Sequence, residues 1–196
     1  MKRIHTQESG RSMVEMLGVL AIVGVLSVGG IAGYSQAMSK FKVTKAMDQV
    51  QTIITNIRTL YASQRTYTSL TAPQAQAMGI LTEESINGST GLNPFGGTIE
   101  FGVGSAAGSN RSFTVKYGSL TGEACVKMAT ADWGADQSSG LLSITMEGGD
   151  TKQVCDWPHA SGLTVSGANC DLPVTIAVAT TGCGVNQSGA VTWEYR

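Results

Sequence analysis

Apolar side chains fill almost every position from Met13 to Tyr34, and Glu15 is the one charged residue among them. As a helix rising ~1.5 Å per residue, this run is about 33 Å long, enough to cross a hydrocarbon core of ~30 Å. Beyond Tyr34 the pattern becomes periodic. Val43, Ala46, Met47, Val50, Ile53, Ile54, Ile57, Leu60 and Tyr61 recur at spacings of three and four, while Lys42, Lys45, Asp48 and Arg58 lie off that stripe. No proline interrupts the stretch, so the pattern predicts one long helix over 11–63, with a transmembrane half at 13–34 and an amphipathic half after it. A free coiled coil would use such a stripe, but the strands that follow need a helix to cover them, which favours packing against a C-terminal domain.

After Ser63 the chain is rich in Gly, Ser, Thr and Asn. Thr71-Ala72-Pro73 starts a short helix reaching Met78, with proline near its first turn, and Asn93-Pro94-Phe95-Gly96-Gly97 signals a turn. Strands are expected at Thr98–Val103, Ser112–Tyr117, Leu141–Glu147, Val174–Ala179 and Val191–Tyr195. Between the second and third, Gly122–Ala131 reads as a helix with Thr121 as its cap. The fold class is therefore α+β: a long N-terminal helix, membrane-spanning then amphipathic, packed on an antiparallel β-sheet head over 64–196.

Charge divides the chain in the same place. Arg11–Arg65 carries six Lys/Arg and two Asp/Glu, whereas Thr66–Arg196 carries five and eleven. An acidic head gives no support to nucleic-acid binding, which needs the opposite sign. The four cysteines, Cys125, Cys155, Cys170 and Cys183, contain no C-x-x-C pair and have only His159 nearby, which argues against zinc. An even number beyond a membrane segment reads as two disulfides in an oxidising compartment, with three pairings open.

The first ten residues hold Lys2, Arg3, His5 and Glu8 and, with Arg11, form a short basic head that stays cytoplasmic under the positive-inside rule. A cleaved secretory signal would have a shorter apolar region, about 7–15 residues. A carboxylate at mid-membrane costs roughly 2.5 kcal/mol or more. Glu15 is accordingly either a functional residue with a partner or one close enough to the headgroups to stay hydrated. Gly29 and Gly33 form a G-x-x-x-G pair, which suits close helix contact or reflects ordinary glycine usage in a membrane helix, and Gly29-Gly30 is a local weak point.

Gly10, then Arg11-Ser12-Met13-Val14-Glu15, then a long apolar helix together resemble the type III signal of the type IV pilins. Leu92-Asn93-Pro94-Phe95-Gly96-Gly97 before a strand, and Glu123-Ala124-Cys125-Val126-Lys127-Met128-Ala129-Thr130 after one, resemble segments of the type IVb branch, which includes bundle-forming and conjugative thin-pilus pilins. The resemblance extends through about Thr130. It implies a type IV pilin fold and removal of a leader, residues 1–10, by a prepilin peptidase cutting between Gly10 and Arg11. The Arg11 amine then becomes the mature N-terminus, normally N-methylated; pilins usually carry an apolar residue there, so Arg11 departs from the pattern. The resemblance also gives Glu15 a partner, the terminal ammonium of Arg11 in an adjacent subunit, and it implies a bridge from Cys125 to Cys183 with Cys155–Cys170 nested inside.

The function implied is that of a structural subunit, the major pilin of a type IVb pilus. It is held in the bacterial inner membrane as a prepilin, then assembled by the inner-membrane pilus machinery into an extracellular homopolymer serving adhesion, aggregation or conjugation, with a host or recipient-cell surface as a further partner. The alternatives are a minor pilin, a type II secretion pseudopilin, or an uncleaved, signal-anchored periplasmic binding domain. No enzyme motif is present: G-x-S-x-G, the P-loop and H-E-x-x-H are all lacking, and no cofactor or metal is expected. Glu83-Glu84 reads as a solvated helix start, three N-x-[ST] sequons are given no function, and Trp133, Trp157 and Trp193 read as core packing or edge cover.

Overall fold

The computed structural model describes residues 11–64, 66–104, 110–134, 137–157, 167–184 and 188–196. The chain divides into two units, Met1–Phe41 and Lys42–Arg196. One helix, α1 (Arg11–Leu60), supplies every described residue of the first unit and opens the second. Over residues 13–37 all side chains are exposed, and α1 is the one helix among the described residues long and apolar enough to cross a membrane. Within it Ser27 and Ser35 donate to the carbonyls of Val23 (2.7 Å) and Ala32 (2.9 Å), so neither hydroxyl depends on water.

In the second unit the periodic stripe is the buried face of α1. Val43, Ala46, Val50, Ile53, Ile54, Ile57 and Tyr61 are buried and Met47 packs against them; Leu60 turns out to solvent as the helix ends, and Tyr61 completes the contact. The surface they meet is an eight-stranded sheet in the order β1-β2-β3-β4-β8-β5-β6-β7. Its strands are β1 (Ile86–Asn87), β2 (Thr90–Leu92), β3 (Thr98–Gly104), β4 (Ser112–Leu120), β5 (Leu141–Glu147), β6 (Gln153–Asp156), β7 (Cys170–Asp171) and β8 (Gly189–Tyr195). All neighbours are antiparallel except β6 and β7, which run parallel, a departure from the fully antiparallel sheet expected. The register sets Phe113 opposite Tyr195, Val115 opposite Trp193 and Tyr117 opposite Val191, so alternate residues of β4 and β8 line the core. Trp193 stands edge-on to Tyr117, with ring centres 5.7 Å apart, and packs against Trp133 at 4.9 Å. Trp157 is half-buried and donates its ring N–H to the Leu141 carbonyl at 2.8 Å.

Two short helices follow from local chemistry. A proline in the first turn starts α2 (Ala72–Ala77). The Thr121 hydroxyl accepts the Ala124 N–H at 3.3 Å and so caps α3 (Gly122–Ala129), where Glu123 and Lys127 form an ion pair one turn apart.

The expected strand at Val174–Ala179 is instead helix α4 (Ile176–Cys183), capped by the Thr175 hydroxyl and ended at Gly184, which takes a positive φ of 67°. Its β-branched residues misread as strand because tertiary contact decides here. Ala179, Gly182 and Cys183 make a narrow buried face, the Thr180 and Thr181 hydroxyls bond back to the Ile176 and Ala177 carbonyls, and Cys183 is tied to Cys125 of α3. A Cβ at Gly182 would stand 2.8 Å from the Met146 Cβ, so α4 approaches β5 at glycine distance.

Two measurements check this framework. The Cys125–Cys183 bridge closes a sequence separation of 58 residues, worth on the order of 4 kcal/mol in the chain-entropy model. Replacing both cysteines with serine should lower the denaturation midpoint of the full chain by a corresponding amount, and an unchanged midpoint would contradict the clamp. Glu147 sits between Lys152 (2.7 Å) and Lys116 (3.0 Å), whose hydrogen bonds hold its carboxyl below the ordinary carboxylate range. A folded value below the unfolded one contributes stability that is present above the unfolded value and lost as pH falls through the folded one. Glu147→Gln should therefore destabilise the protein at neutral pH, with the gap to wild type closing under acid conditions; stability curves that stay parallel down to about pH 2 would refute this.

Candidate functional site

The apolar start of α1 is the candidate site. Arg11 opens the helix, and Glu15 lies one turn further on, ~6 Å along the axis, with its side chain exposed. It carries the one formal charge of residues 13–37. Residues 1–10, including Gly10, and the Arg11 side chain lie outside the described residues, as does His159. At Gly18, Gly24, Gly29, Gly30 and Gly33 an added Cβ would meet nothing within 4 Å, so contacts within this chain do not require those glycines, and α1 runs through all of them as helix.

Where α1 enters the second unit, a polar contact fixes it against the sheet. Gln49 sits among the buried stripe residues and donates to the Ser85 hydroxyl (2.6 Å) and the Leu92 carbonyl (3.3 Å), while its Oε1 accepts the Tyr117 hydroxyl at 2.8 Å. Tyr117 is fully buried, and that burial pushes its phenol far above the ordinary value, so it remains a neutral donor. One side chain thus joins α1 to the 3-10 turn at Glu83–Ser85, to β2 and to β4. Near the C-terminal end of α1, Arg58 donates to the Ser139 carbonyl at 2.7 Å, and its charge partly offsets the burial that pushes the Tyr195 phenol up to about 12.

The Asn93–Gly97 motif owes its composition to the turn it makes. The Asn93 Oδ1 accepts the N–H groups of Phe95 (2.9 Å) and Gly97 (3.0 Å), and its Nδ2 donates to the Gly118 carbonyl at 2.8 Å. A Cβ at Gly97 would lie 2.0 Å from that same carbonyl oxygen, so only glycine fits. Sequence reading marked the turn but not these bonds. It also missed Gln49, whose signal was an amide at a helical spacing that otherwise carried apolar residues, and Glu194, for which there was no signal. Glu194 is buried on the face of β8 opposite Trp193 and accepts from the Ser112 hydroxyl at 2.7 Å.

The structure joins Cys125 to Cys183 and Cys155 to Cys170, with Cα–Cα distances of 5.8 and 4.4 Å. No cysteine is left as a thiol. Among the described residues no group of three His, Cys, Asp or Glu is placed to hold a metal. Glu83 and Glu84 are exposed, and the ion pair of Glu84 with Lys45 at 3.6 Å is a surface contact of small worth. What the site offers is a long apolar surface with one carboxylate near its start.

Residues 40–195 match the family model described as PilS N terminal. The toxin coregulated pilin of Vibrio cholerae serotype O1 is 27% identical over 133 residues, 64% of this chain and 58% of that protein, so the match spans less than two thirds of that relative. The major structural subunit of the bundle-forming pilus of Escherichia coli O111:H- is 28% identical over 146 residues, covering 71% of this chain and 73% of its own. Among solved structures, TcpA, a type IV pilin from Vibrio cholerae El Tor biotype, superposes with a TM-score of 0.50 at 17% identity over 79% of this chain and 99% of its own. A type IVb pilin from Salmonella typhi does so with a TM-score of 0.52 at 20% identity, over 78% and 99%. These likenesses carry the fold. With the family model spanning the amphipathic half of α1 and nearly the whole head, the chain belongs to the PilS N-terminal family and is a pilin of the type IVb branch.

Proposed function

We propose that this pilin is the major structural subunit of a type IVb pilus, held in the bacterial inner membrane through residues 13–34, cut by a prepilin peptidase between Gly10 and Arg11, and then polymerised by the assembly machinery. The observation that carries this reading is the exposed apolar surface of α1 over residues 13–34, whose one charged side chain is Glu15. Such a surface needs cover. The bilayer supplies it before assembly, and the same helix in neighbouring copies supplies it afterwards.

In the filament Glu15 neutralises the terminal ammonium of Arg11 in an adjacent subunit. Desolvation opposes a buried ion pair, so the contact acts chiefly on register: a misplaced subunit leaves both charges buried and unpaired. The filament then presents the acidic heads to a host or recipient-cell surface. As a pilin the chain works as a structural element and not as an enzyme.

Intact mass of protein from sheared surface filaments tests this reading. The expected mass lacks Met1–Gly10 and, with two bridges closed, is four hydrogens below the reduced form. Full-length protein confined to the membrane fraction would overturn it. Glu15→Ala should still be inserted and cut but be missing from the sheared fraction, and normal filaments from this variant would remove Glu15 from the assembly contact.

A further inference from the structure

Among the described residues the sheet has eight strands and two edges, and each edge presents backbone N–H and C=O groups to any strand that can reach them. At one end β1 is two residues long and follows the 3-10 turn Glu83–Ser85, whose Glu83 and Glu84 are exposed, so that edge is short and flanked by charge. The other end is built differently. β6 has a buried centre, Val154-Cys155, and its outward groups are met by the Asn169–Leu172 segment. The Val154 N–H donates to the Asn169 Oδ1 at 2.9 Å, the Val154 carbonyl accepts the Asn169 N–H at 2.9 Å, and the Lys152 carbonyl accepts the Asn169 Nδ2 at 3.2 Å. The Asp156 carbonyl accepts the Leu172 N–H at 2.7 Å. Asn169 thus makes three of these four bonds with one residue, using its side chain as if it were strand backbone.

The β7 strand itself has two residues, too few to hold a place on a sheet unaided. Cys155–Cys170 fastens it covalently at the point of the parallel pairing, Cys155 opposite Cys170. We propose that this bridge is a clasp that keeps Asn169 seated on the outer edge of β6, and that with the clasp absent this edge pairs antiparallel with the same edge of a second copy of the chain.

The choice of a second copy follows from the residues of the edge. Val154 turns both its N–H and its carbonyl outward, so a twofold axis through Val154 lets two copies exchange both bonds at that residue. The same axis sets Lys152 of each copy, which also bonds Glu147 of its own chain, opposite Asp156 of the other, so that opposite charges face across the new ladder. The edge is therefore self-complementary in backbone and in charge. In a filament subunit, with heads held close together, an open edge of this kind would compete with assembly through α1. The clasp depends on the sheet alone and operates whether or not the chain polymerises.

The test uses the oxidised full-length chain in detergent micelles, with amide exchange and cross-linked oligomer distribution read against wild type. Cys155→Ser with Cys170→Ser leaves the Cys125–Cys183 bridge in place, and Asn169→Ala leaves both bridges in place. Each should raise exchange at the Val154 amide by about tenfold or more, as expected for a hydrogen bond lost; the double cysteine variant should also shift toward dimers and larger species, whereas Asn169→Ala, with Cys155–Cys170 still holding β7 on the edge, should not. Adding Val154→Pro removes the outward N–H without removing a bond to β5 and should return the double serine variant to the wild-type distribution. Lys152→Asp in that background should also suppress pairing, and Lys152→Asp together with Asp156→Lys should restore it. A double serine variant with unchanged Val154 exchange and no added oligomer would overturn the proposal. So would oligomers that survive Val154→Pro, since they would form through another surface.

Discussion

One helix has to meet two different surroundings, and much of the chain's design answers that demand. Over residues 13–34 α1 is apolar around its circumference save for Glu15 and Ser27, and it is exposed throughout, so it requires a medium or neighbours that are themselves apolar. From Val43 to Tyr61 it is apolar on one face only, and the head consumes that face. The change in period is the change in environment: a stripe one side wide provides for a single partner, whereas a run of residues apolar all round, with one carboxylate, provides for several or for lipid.

The polar groups that survive inside the head serve alignment more than stability. A stripe of Val, Ile and Ala slides with little penalty, because one apolar contact resembles the next. Gln49 removes that freedom: its amide has its partners only when Ser85, Leu92 and Tyr117 stand where they do, and a shift of α1 by one turn would bury those groups unpaired. Asn93 does the same for the turn into β3, and the Ser112–Glu194 bond does so between β4 and β8. Each is one polar side chain with its partners on a different segment, so each records a particular pairing of segments.

Legibility in the sequence followed the length of the signal. The long helix, the apolar run and the stripe were readable because they repeat over many turns, and strands β3, β4, β5 and β8 because alternation persists across them. The two-residue strands β1 and β7 contain no period to detect, and β6 is defined by its neighbours more than by its own pattern. The failure at α4 has a different cause. Val174–Ala179, Val-Thr-Ile-Ala-Val-Ala, favours a strand when read locally, while the cap at Thr175 starts a helix and close packing at Gly182 and the tether at Cys183 act from beyond the segment. For the candidate site, the spacing of Gly10, Arg11 and Glu15 was visible at once, but a charge partner on another copy of the chain has no signature in one sequence. Gln49 was legible in hindsight as the amide on an apolar face, and Glu194 was not.

The position of β8 has a consequence for how the head comes into being. Residues 189–195 form a central strand of the sheet, bonded to β4 on one side and β5 on the other. Until synthesis has passed that point, β1 through β4 and β5 through β7 are two fragments with open inner edges and Trp193 absent from between them. Helix α1 precedes the whole head in the chain, and β8 follows every strand that it joins. An emerging chain therefore carries two half-sheets that only β8 can unite, and shielding their inner edges until then falls to factors outside the fold.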